Sequence, residues 1–168
     1  MLILGSPGSG KTTLARRLGA VTGLPLVHLD QLYWRPGWLE QSKDIWSSQV
    51  TQALSEPAWI MDGNYGGTLA LRLKAADTAI LLDLPTRVCL ERAIRRTIKG
   101  WGRDRPDMAP GCPERFELAF FVYIATFRRR KLPGTLQQLR NFPGRVIRLT
   151  STAEIDSLLQ HQMAPPSN

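Results

Sequence analysis

The chain has 168 residues, of which 43% are hydrophobic, so it is long enough for one globular domain and too apolar for a disordered one. Its longest apolar stretch, Leu118–Ile124, is much shorter than the ~20 residues that cross a bilayer. Two cysteines, Cys89 and Cys112, are too few for a disulfide framework or a four-ligand zinc site. The small number of cysteines leads us to expect no zinc. We also expect no signal peptide before the apolar start at Met1, and hence a cytoplasmic protein without a membrane partner.

The net charge is +8, and the basic excess is confined to one part of the chain. Residues 1–86 contain seven basic and seven acidic side chains, whereas residues 87–148 contain fifteen basic and five acidic ones. Such a local excess indicates a surface that meets an anionic partner. Polyphosphate and nucleic acid both satisfy this description, and charge alone does not separate them.

Short apolar runs alternate with amphipathic segments along the chain, which is typical of βαβ units and a parallel sheet. The predicted strands are Leu2–Leu4, Leu26–Leu29, Trp59–Asp62, Ala79–Leu84 and Val146–Leu149. The predicted helices run from the glycine-rich loop to Gly23, from Leu39 to Leu54, from Pro85 to Gly100 and from Pro113 to Lys131. A last helix is expected after the capping-box pattern formed by Ser151 and Glu154.

The segment Gly5–Thr12 matches the pattern G-x-x-x-x-G-K-[ST] and lies between an apolar strand and an amphipathic helix, as this motif requires. Glycines allow successive backbone N–H groups to surround a β-phosphate, and the following helix N-terminus adds its positive dipole. Lys11 is expected to bridge the β- and γ-phosphates, and the Thr12 hydroxyl to ligate Mg²⁺. The residues expected to bind ATP are Gly5, Ser6, Pro7, Gly8, Ser9, Gly10, Lys11, Thr12, Thr13 and Arg92.

Other segments resemble nucleotide kinases related to adenylate kinase. Trp59–Gly63 is similar to their strand that ends in Asp-Gly, and Asp77–Pro85, followed by Arg92 and Arg96, is similar to their fourth strand and the helix that leads into the lid. Within these kinases, the bacterial DNA topology modulation (FlaR-related) proteins are the group that the chain resembles most. The residues that carry this resemblance are His28-Leu29-Asp30, Tyr33-Trp34, Gly37-Trp38, Asp62–Tyr65 and Gly111–Arg115.

The resemblance covers nearly all of residues 1–150 and implies an α/β P-loop NTPase fold. Its five-stranded parallel sheet would have the order 2-3-1-4-5 and be flanked by helices. A single kinase-like domain would cover residues 1–163, before a flexible tail at 164–168. Residues 31–56, here the flap segment, would form a short acceptor-binding flap, and residues 97–115, here the lid segment, a short arginine-rich lid.

One departure limits what the resemblance implies about activity. Nucleotide monophosphate kinases usually follow Asp-Gly with Pro-Arg, whose guanidinium holds the phosphate of the acceptor. This chain has Asn64 and Tyr65 at that place, and the nearest arginine is Arg72 on the next helix. The resemblance therefore does not imply adenylate kinase activity.

Two carboxylates end predicted strands at the edge where parallel sheets bind ligands. Asp62 is expected to hold Mg²⁺ through water, the alternative being a helix or turn cap. Asp30 is expected to contact the acceptor, and in small-molecule P-loop kinases a carboxylate here often orients or deprotonates the acceptor hydroxyl. We expect His28 to be a packed side chain, and Asp83 to cap a helix rather than to bind metal.

Arginines that reach in from a lid can neutralise the charge that phosphoryl transfer spreads over three oxygens. Arg92 and Arg96 lie four residues apart on one helix face, and with Lys11 and Asp30 they are the predicted catalytic residues. The sequence leaves open which of Arg103, Arg105, Arg115, Arg128, Arg129 and Arg130 also reach the phosphates. Because residues 100–111 have few apolar side chains and many like charges, we expect that loop to stay open without nucleotide.

Aromatic side chains cluster in the flap segment at Tyr33, Trp34 and Trp38. They could stack on a planar acceptor or close over a sugar, or they could form the small core of the flap itself. The pattern does not choose between these two interpretations.

Together the residues and the resemblance predict an ATP- and Mg²⁺-dependent phosphotransferase. Its partner would be a small phosphate acceptor, either a nucleoside, a nucleotide or another hydroxyl or phosphate compound. The alternative is a nucleotide-dependent DNA-binding regulator of the DNA topology modulation type. No helix-turn-helix, zinc-finger or RNA-recognition pattern supports that alternative. The sequence leaves monomer and dimer equally open.

Overall fold

A computed structural model describes residues 1–163 and has a five-stranded parallel sheet at its centre. The predicted tail at 164–168 lies outside the described residues. The strands are β1 (Leu2–Gly5), β2 (Leu26–His28), β3 (Trp34–Arg35), β4 (Leu39–Glu40), β5 (Ile60–Asp62), β6 (Thr78–Leu82) and β7 (Arg145–Leu149). The sheet has the order β2-β5-β1-β6-β7, and β3 and β4 form a separate antiparallel hairpin.

The predicted α/β fold with a five-stranded parallel sheet is confirmed. The hairpin was not predicted, because two strands of two residues each carry no periodic signal. Because the hairpin contributes β3 and β4, the strands of the large sheet are not numbered consecutively. If only the strands of the large sheet are counted, their order reads 2-3-1-4-5.

Eight helices in the described residues surround the sheet. They are α1 (Lys11–Thr22), α2 (Leu29–Tyr33), α3 (Lys43–Leu54), α4 (Gly66–Ala75), α5 (Thr86–Gly100), α6 (Leu118–Arg130), α7 (Leu132–Arg140) and α8 (Thr152–Met163). None of these helices combines the length and apolarity that a membrane span needs.

The two faces of the sheet bury alternate side chains of the same strands, as the two-residue period of a strand requires. On β1, Leu2 and Leu4 pack into one apolar cluster, whereas Ile3 packs into the other. Leu81 and Ile80 of β6 divide in the same way. Helices therefore cover both faces, and the carboxyl ends of the strands remain as the edge where loops converge.

Two predicted helices differ from the observed ones for identifiable reasons. The helix predicted from Leu39 begins at Lys43, because the Ser42 hydroxyl accepts a hydrogen bond from the backbone N–H of Ile45 and caps it there. The long helix predicted from Pro113 to Lys131 begins at Leu118, and α7 follows directly after it. Pro133 lies in the first turn of α7, where its missing N–H is tolerated and a new helix can start.

The lid segment contradicts the expectation that it buries little. Met108, Ala109 and Cys112 are all buried, and the backbone N–H of Gly37 in the flap segment donates to the carbonyl of Gly111 over 2.8 Å. Acidic side chains also lie among the basic ones, so the like charges are partly neutralised. The acids of this loop therefore offset the repulsion that its basic residues alone would cause.

Asp83 is buried at the end of β6 and binds two arginines. It accepts hydrogen bonds from Arg148 over 3.1 and 2.5 Å, and its other oxygen lies 3.2 Å from Nε of Arg128. The predicted helix cap is wrong, since the N-cap of α5 makes no side-chain hydrogen bond. Asp83 instead ties β6 to β7 and to α6.

We expect Asp83→Asn to lower the free energy of unfolding by about 2 kcal/mol, because a buried carboxylate with charged donors is replaced by a neutral amide. Urea unfolding of the purified variant measures this. Glu91→Gln is the matched control, since its pair with Arg95 is exposed and is worth less than about 0.5 kcal/mol. Equal unfolding midpoints for the two variants would contradict a structural role for Asp83.

Candidate active site

The candidate site lies at the carboxyl ends of β1, β2 and β5, the edge where open α/β sheets bind ligands. Strand pairing sets its register. Ile3 of β1 and His28 of β2 both lie beside Asp62 of β5, so the residues that follow each strand meet in one place. The glycine-rich loop follows β1 and leads into α1.

Glycines are required in this loop by its conformation and by its close packing. Gly5, Gly8 and Gly10 have φ values of 142°, 79° and 99°, which side chains rarely adopt. A Cβ at Gly5 would overlap with the carbonyl oxygen of Leu82, and one at Gly8 with that of Cys89. The loop therefore lies directly on β6 and α5.

Lys11 follows this loop and donates to the carbonyl of Ser6 over 3.1 Å. Burial lowers the pKa of Lys11, while Asp30 and Asp62 oppose that shift by attraction. A partly buried ammonium group on this loop is well placed for an anion of high charge. The Ser9 hydroxyl is buried and has no hydrogen-bond partner within residues 1–163. A ligand bound to the loop would supply such a partner.

Asp62 joins the loop to β2 through two hydrogen bonds. The Thr12 hydroxyl donates to its Oδ2 over 2.7 Å, and Nδ1 of His28 lies 2.6 Å from its Oδ1. Burial alone would raise the pKa of Asp62, but His28, Thr12 and Lys11 together lower it below its ordinary value. The bond to Asp62 raises the pKa of His28. A hydroxyl and a carboxylate at contact distance form a donor set of the kind that Mg²⁺ prefers.

Asn64 holds the first residue of the glycine-rich loop from the side. Its amide oxygen accepts from the N–H of Gly5 over 3.1 Å, and its amide nitrogen donates to the carbonyl of Gly5 over 2.8 Å. Both backbone groups of Gly5 are thus satisfied by one side chain. This double contact fixes the loop relative to β5.

Arg72 in turn fixes the loop that carries Asn64. Its side chain is fully buried, and it donates to the carbonyls of Gly63, Asn64 and Tyr65 and to the hydroxyl of Thr68. Burial lowers the pKa of Arg72 to about 10, which still leaves it charged at neutral pH. The guanidinium thus holds the backbone of residues 63–65 in place.

Asp30 lies in α2 and accepts a hydrogen bond of 2.5 Å from the hydroxyl of Tyr65. Burial raises the pKa of Asp30, although Tyr65 and Lys11 oppose the rise. Tyr65 has a φ of 33°, which is rare for a residue with a side chain and is held by the contact of its carbonyl with Arg72. This backbone turns the phenol back toward Asp30.

The two predicted arginines of α5 have different partners. Nη1 of Arg92 is 3.4 Å from the carbonyl oxygen of Ser9, and its Nη2 donates to Thr152. Nε of Arg96 lies 3.3 Å from Oε2 of Glu114, an acid of the lid segment. The structure therefore places Lys11 and Arg92 on the glycine-rich loop and Asp30 at the same edge of the sheet, whereas Arg96 is bound to Glu114.

Three of the six arginines that the sequence left open bind acids of the same chain. Arg105 lies 3.1 Å from Glu114, Arg115 lies 3.3 Å from Glu117, and Arg128 binds Asp83. Arg129 and Arg130 line a cavity on α6 with Thr126. Part of the basic charge in residues 87–148 is therefore paired with acids of the same chain.

The aromatic side chains of the flap segment pack mainly on each other. Tyr33 contacts Trp34, Trp46 and Tyr65 at centroid distances of 5.1, 5.1 and 4.6 Å. The indole N–H of Trp38 donates to the carbonyl of Pro113 in the lid segment. These contacts favour the interpretation as a flap core that also receives the lid segment.

Sequence reasoning missed the functional positions of Tyr65, Arg72 and Glu114. Asn64 and Tyr65 were visible only as a departure from a familiar pattern. Apart from its place in an amphipathic helix, nothing in the sequence indicates that Arg72 is buried. The burial of its charge depends on carbonyls that another loop supplies. Glu114 is 6% exposed among basic residues, and nothing in its spacing indicates that burial.

We expect Asp30→Asn to stabilise the protein at neutral pH. A folded-state pKa above the ordinary value gives stability that is present below the unfolded pKa and is lost as pH rises through the folded value. The gain from the amide should therefore be largest near pH 7 and shrink toward about pH 4. Thermal unfolding across this range is the measurement, with the exposed Glu56→Gln as control. A destabilised Asp30→Asn at pH 7 would show that the charge is well compensated.

Solved structures of other proteins share this arrangement of strands and helices. A protein of Chloroflexus aurantiacus to which a kinase function is ascribed is 19% identical, with a TM-score of 0.56 over 98% of both chains. A shikimate kinase from Acinetobacter baumannii, in complex with shikimate, is 15% identical, with a TM-score of 0.61 over 95% of this chain and 88% of the other.

A shikimate kinase from Bacteroides thetaiotaomicron is 14% identical, with a TM-score of 0.57 over 95% and 93% of the two chains. No protein-family model matches the sequence, and no curated protein matches it. At these identities the likeness shows the fold alone, which is the α/β fold of P-loop kinases.

Proposed function

We propose that this protein is an ATP-dependent phosphotransferase that phosphorylates a small acceptor beside Asp30. The observation that carries the proposal is the convergence of a complete phosphate-binding loop with two carboxylates of different surroundings. Asp62 is bound by Thr12 and His28, whereas Asp30 accepts a side-chain hydrogen bond only from the neutral hydroxyl of Tyr65 among residues 1–163. The surroundings of Asp62 suit the binding of a metal ion, and those of Asp30 suit a hydrogen bond with a substrate.

The backbone of the glycine-rich loop would hold the β-phosphate through its N–H groups, and Lys11 would bridge the β- and γ-phosphates. Thr12 would ligate Mg²⁺ and Asp62 would hold it through water, and this ion neutralises the phosphate oxygens and the developing charge. His28 keeps the Asp62 carboxylate in place. Arg92 and Arg96 would stabilise the charge on the transferred group, as arginines do in related chemistry.

Asp30 would accept the hydrogen bond of the acceptor hydroxyl. Its raised pKa brings this carboxylate closer to the range in which it can take up a proton. Tyr65 occupies Oδ1 of Asp30, so Oδ2 is the oxygen that faces an acceptor. Tyr65 is therefore a positioning residue, and Asp30 is the proposed catalytic base.

The flap and lid segments would enclose the acceptor. They already meet through Gly37 and Gly111, through Trp38 and Pro113, and through Gln31, which donates to the carbonyl of Pro106 over 2.7 Å. Exclusion of water by such a closed pair of segments prevents hydrolysis of ATP. These contacts support the roles of flap and lid that the resemblance implies.

Kinase activity is a better account of the basic segment than DNA binding. Arg96, Arg105 and Arg128 each bind a buried acid, so these three side chains are less available to a DNA backbone. The resemblance to the DNA topology modulation proteins would then concern the fold and the ATP site. We propose no DNA-binding role.

Lys11→Ala should weaken the binding of MgATP by about tenfold or more, because the ammonium group is lost from the phosphate site. Titration calorimetry with a slowly hydrolysed ATP analogue and Mg²⁺ measures the effect. Lys74→Ala is the control, since Lys74 is exposed on α4. Unchanged affinity in a folded Lys11→Ala protein would place nucleotide binding elsewhere.

A further inference from the structure

We infer that the acceptor is an uncharged hydroxyl compound, a nucleoside or a sugar, and that it carries no phosphate or carboxylate near the reacting group. This inference rests on the proposed kinase function and concerns the charges around Asp30. Arg92 is bound at the glycine-rich loop and Arg96 is bound to Glu114. The other cations of the proposed site are the guanidiniums of Arg72 and Arg105 and the ammonium group of Lys11. Each of them is engaged by another group.

Arg72 comes nearest to the place where an acceptor phosphate would need a cation, because it lies directly behind Asn64 and Tyr65. Its side chain is fully buried, and its donors are bound to three consecutive carbonyls and one hydroxyl. A guanidinium has five N–H donors and no acceptor, so turning it toward a substrate would strand the carbonyls of residues 63–65. Arg72 therefore does not serve the acceptor.

Arg105 is the lid arginine whose charge acts on Asp30. Its Nε lies 3.1 Å from Glu114, and its Nη1 lies 3.4 Å from Asp107. Glu114 is 6% exposed, so releasing Arg105 would leave this buried carboxylate with Arg96 and Thr97 as partners, which is unfavourable. The positive charge of Arg105 is thus already balanced by two acids.

Lys11 remains, and its place on the phosphate-binding loop assigns it to ATP. An anionic acceptor would consequently lie against the carboxylate of Asp30 without a free cation among the groups named above. A hydroxyl group has the opposite requirement, because it must lose a proton and profits from a carboxylate partner. The charges around Asp30 therefore suit a neutral nucleophile.

The reaction balances with these residues. The acceptor oxygen forms a bond to the γ-phosphorus, and the bond between that phosphorus and the oxygen that bridges the β- and γ-phosphates breaks, so that ADP leaves. The hydroxyl proton passes to the carboxylate of Asp30 and from there to water. The product is a phosphate ester, which is stable in dilute acid, whereas a phosphoanhydride or an acyl phosphate is not.

The test uses ATP labelled with ³²P at the γ-position and two sets of acceptors. The neutral set contains adenosine, guanosine, uridine, glucose and the unbound fraction of a small-molecule extract passed over an anion exchanger. The anionic set contains the matching nucleoside monophosphates, glucose 6-phosphate and the bound fraction. We expect acid-stable label from the neutral set and at least tenfold less from the anionic set.

Label transferred mainly to the anionic set, or label that dilute acid releases, would overturn the inference and leave the kinase proposal standing. Transfer to neither set by a protein that still binds MgATP would overturn both. Lys11→Ala run in parallel shows that any label depends on the proposed ATP site.

A variant tests the role of Arg105 separately. Asp107→Asn removes one of its two acid partners, so the ratio of anionic to neutral acceptor use should rise, on the order of fivefold. Glu117→Gln is the matched control, because its exposed pair with Arg115 lies outside the proposed site. An unchanged ratio in Asp107→Asn would show that acid pairing of Arg105 does not set acceptor charge, and the inference would fall.

Discussion

Arg72 donates hydrogen bonds to the carbonyls of three consecutive residues, and the geometry of both halves of the site depends on this contact. The loop that it holds presents Asn64 to the glycine-rich loop on one side and Tyr65 to Asp30 on the other. A buried guanidinium is tolerated only because its donors are bound, so the loop and the arginine stabilise each other. The position of Asp30 relative to the glycine-rich loop is thereby fixed by one fully buried side chain.

Pairing of charges explains why a strongly basic segment does not repel itself. Glu114 lies between Arg96 and Arg105, and Asp107 lies between Arg105 and Arg16. Burial of Met108 and Cys112 adds apolar contacts to the same segment. The lid segment is consequently held in place by its own acids and by the flap segment. Part of its positive charge is already paired with these acids. That balance supports a neutral acceptor.

The sequence predicts those parts of the molecule that depend on local pattern. The glycine-rich loop, the five parallel strands and the helix from Pro85 follow from motif, alternation and proline, each of which acts within a few residues. The role of Arg72, the burial of Glu114 and the packing of residues 100–112 depend on partners far away in the chain. A count of like charges could not reveal them, because the relevant quantity is which acid lies next to which base after folding. Asp83 shows the same limit, since its partner Arg148 is 65 residues away.

We propose that the glycine-rich loop binds the phosphates of MgATP beside Asp62. A crystal structure with Mg²⁺ and a slowly hydrolysed ATP analogue is the most direct test of this binding. We expect Lys11 to leave the carbonyl of Ser6 for the phosphates and the Thr12 hydroxyl to turn from Asp62 to the metal. An analogue bound away from the loop, with Lys11 still on Ser6 and Thr12 still on Asp62, would contradict it.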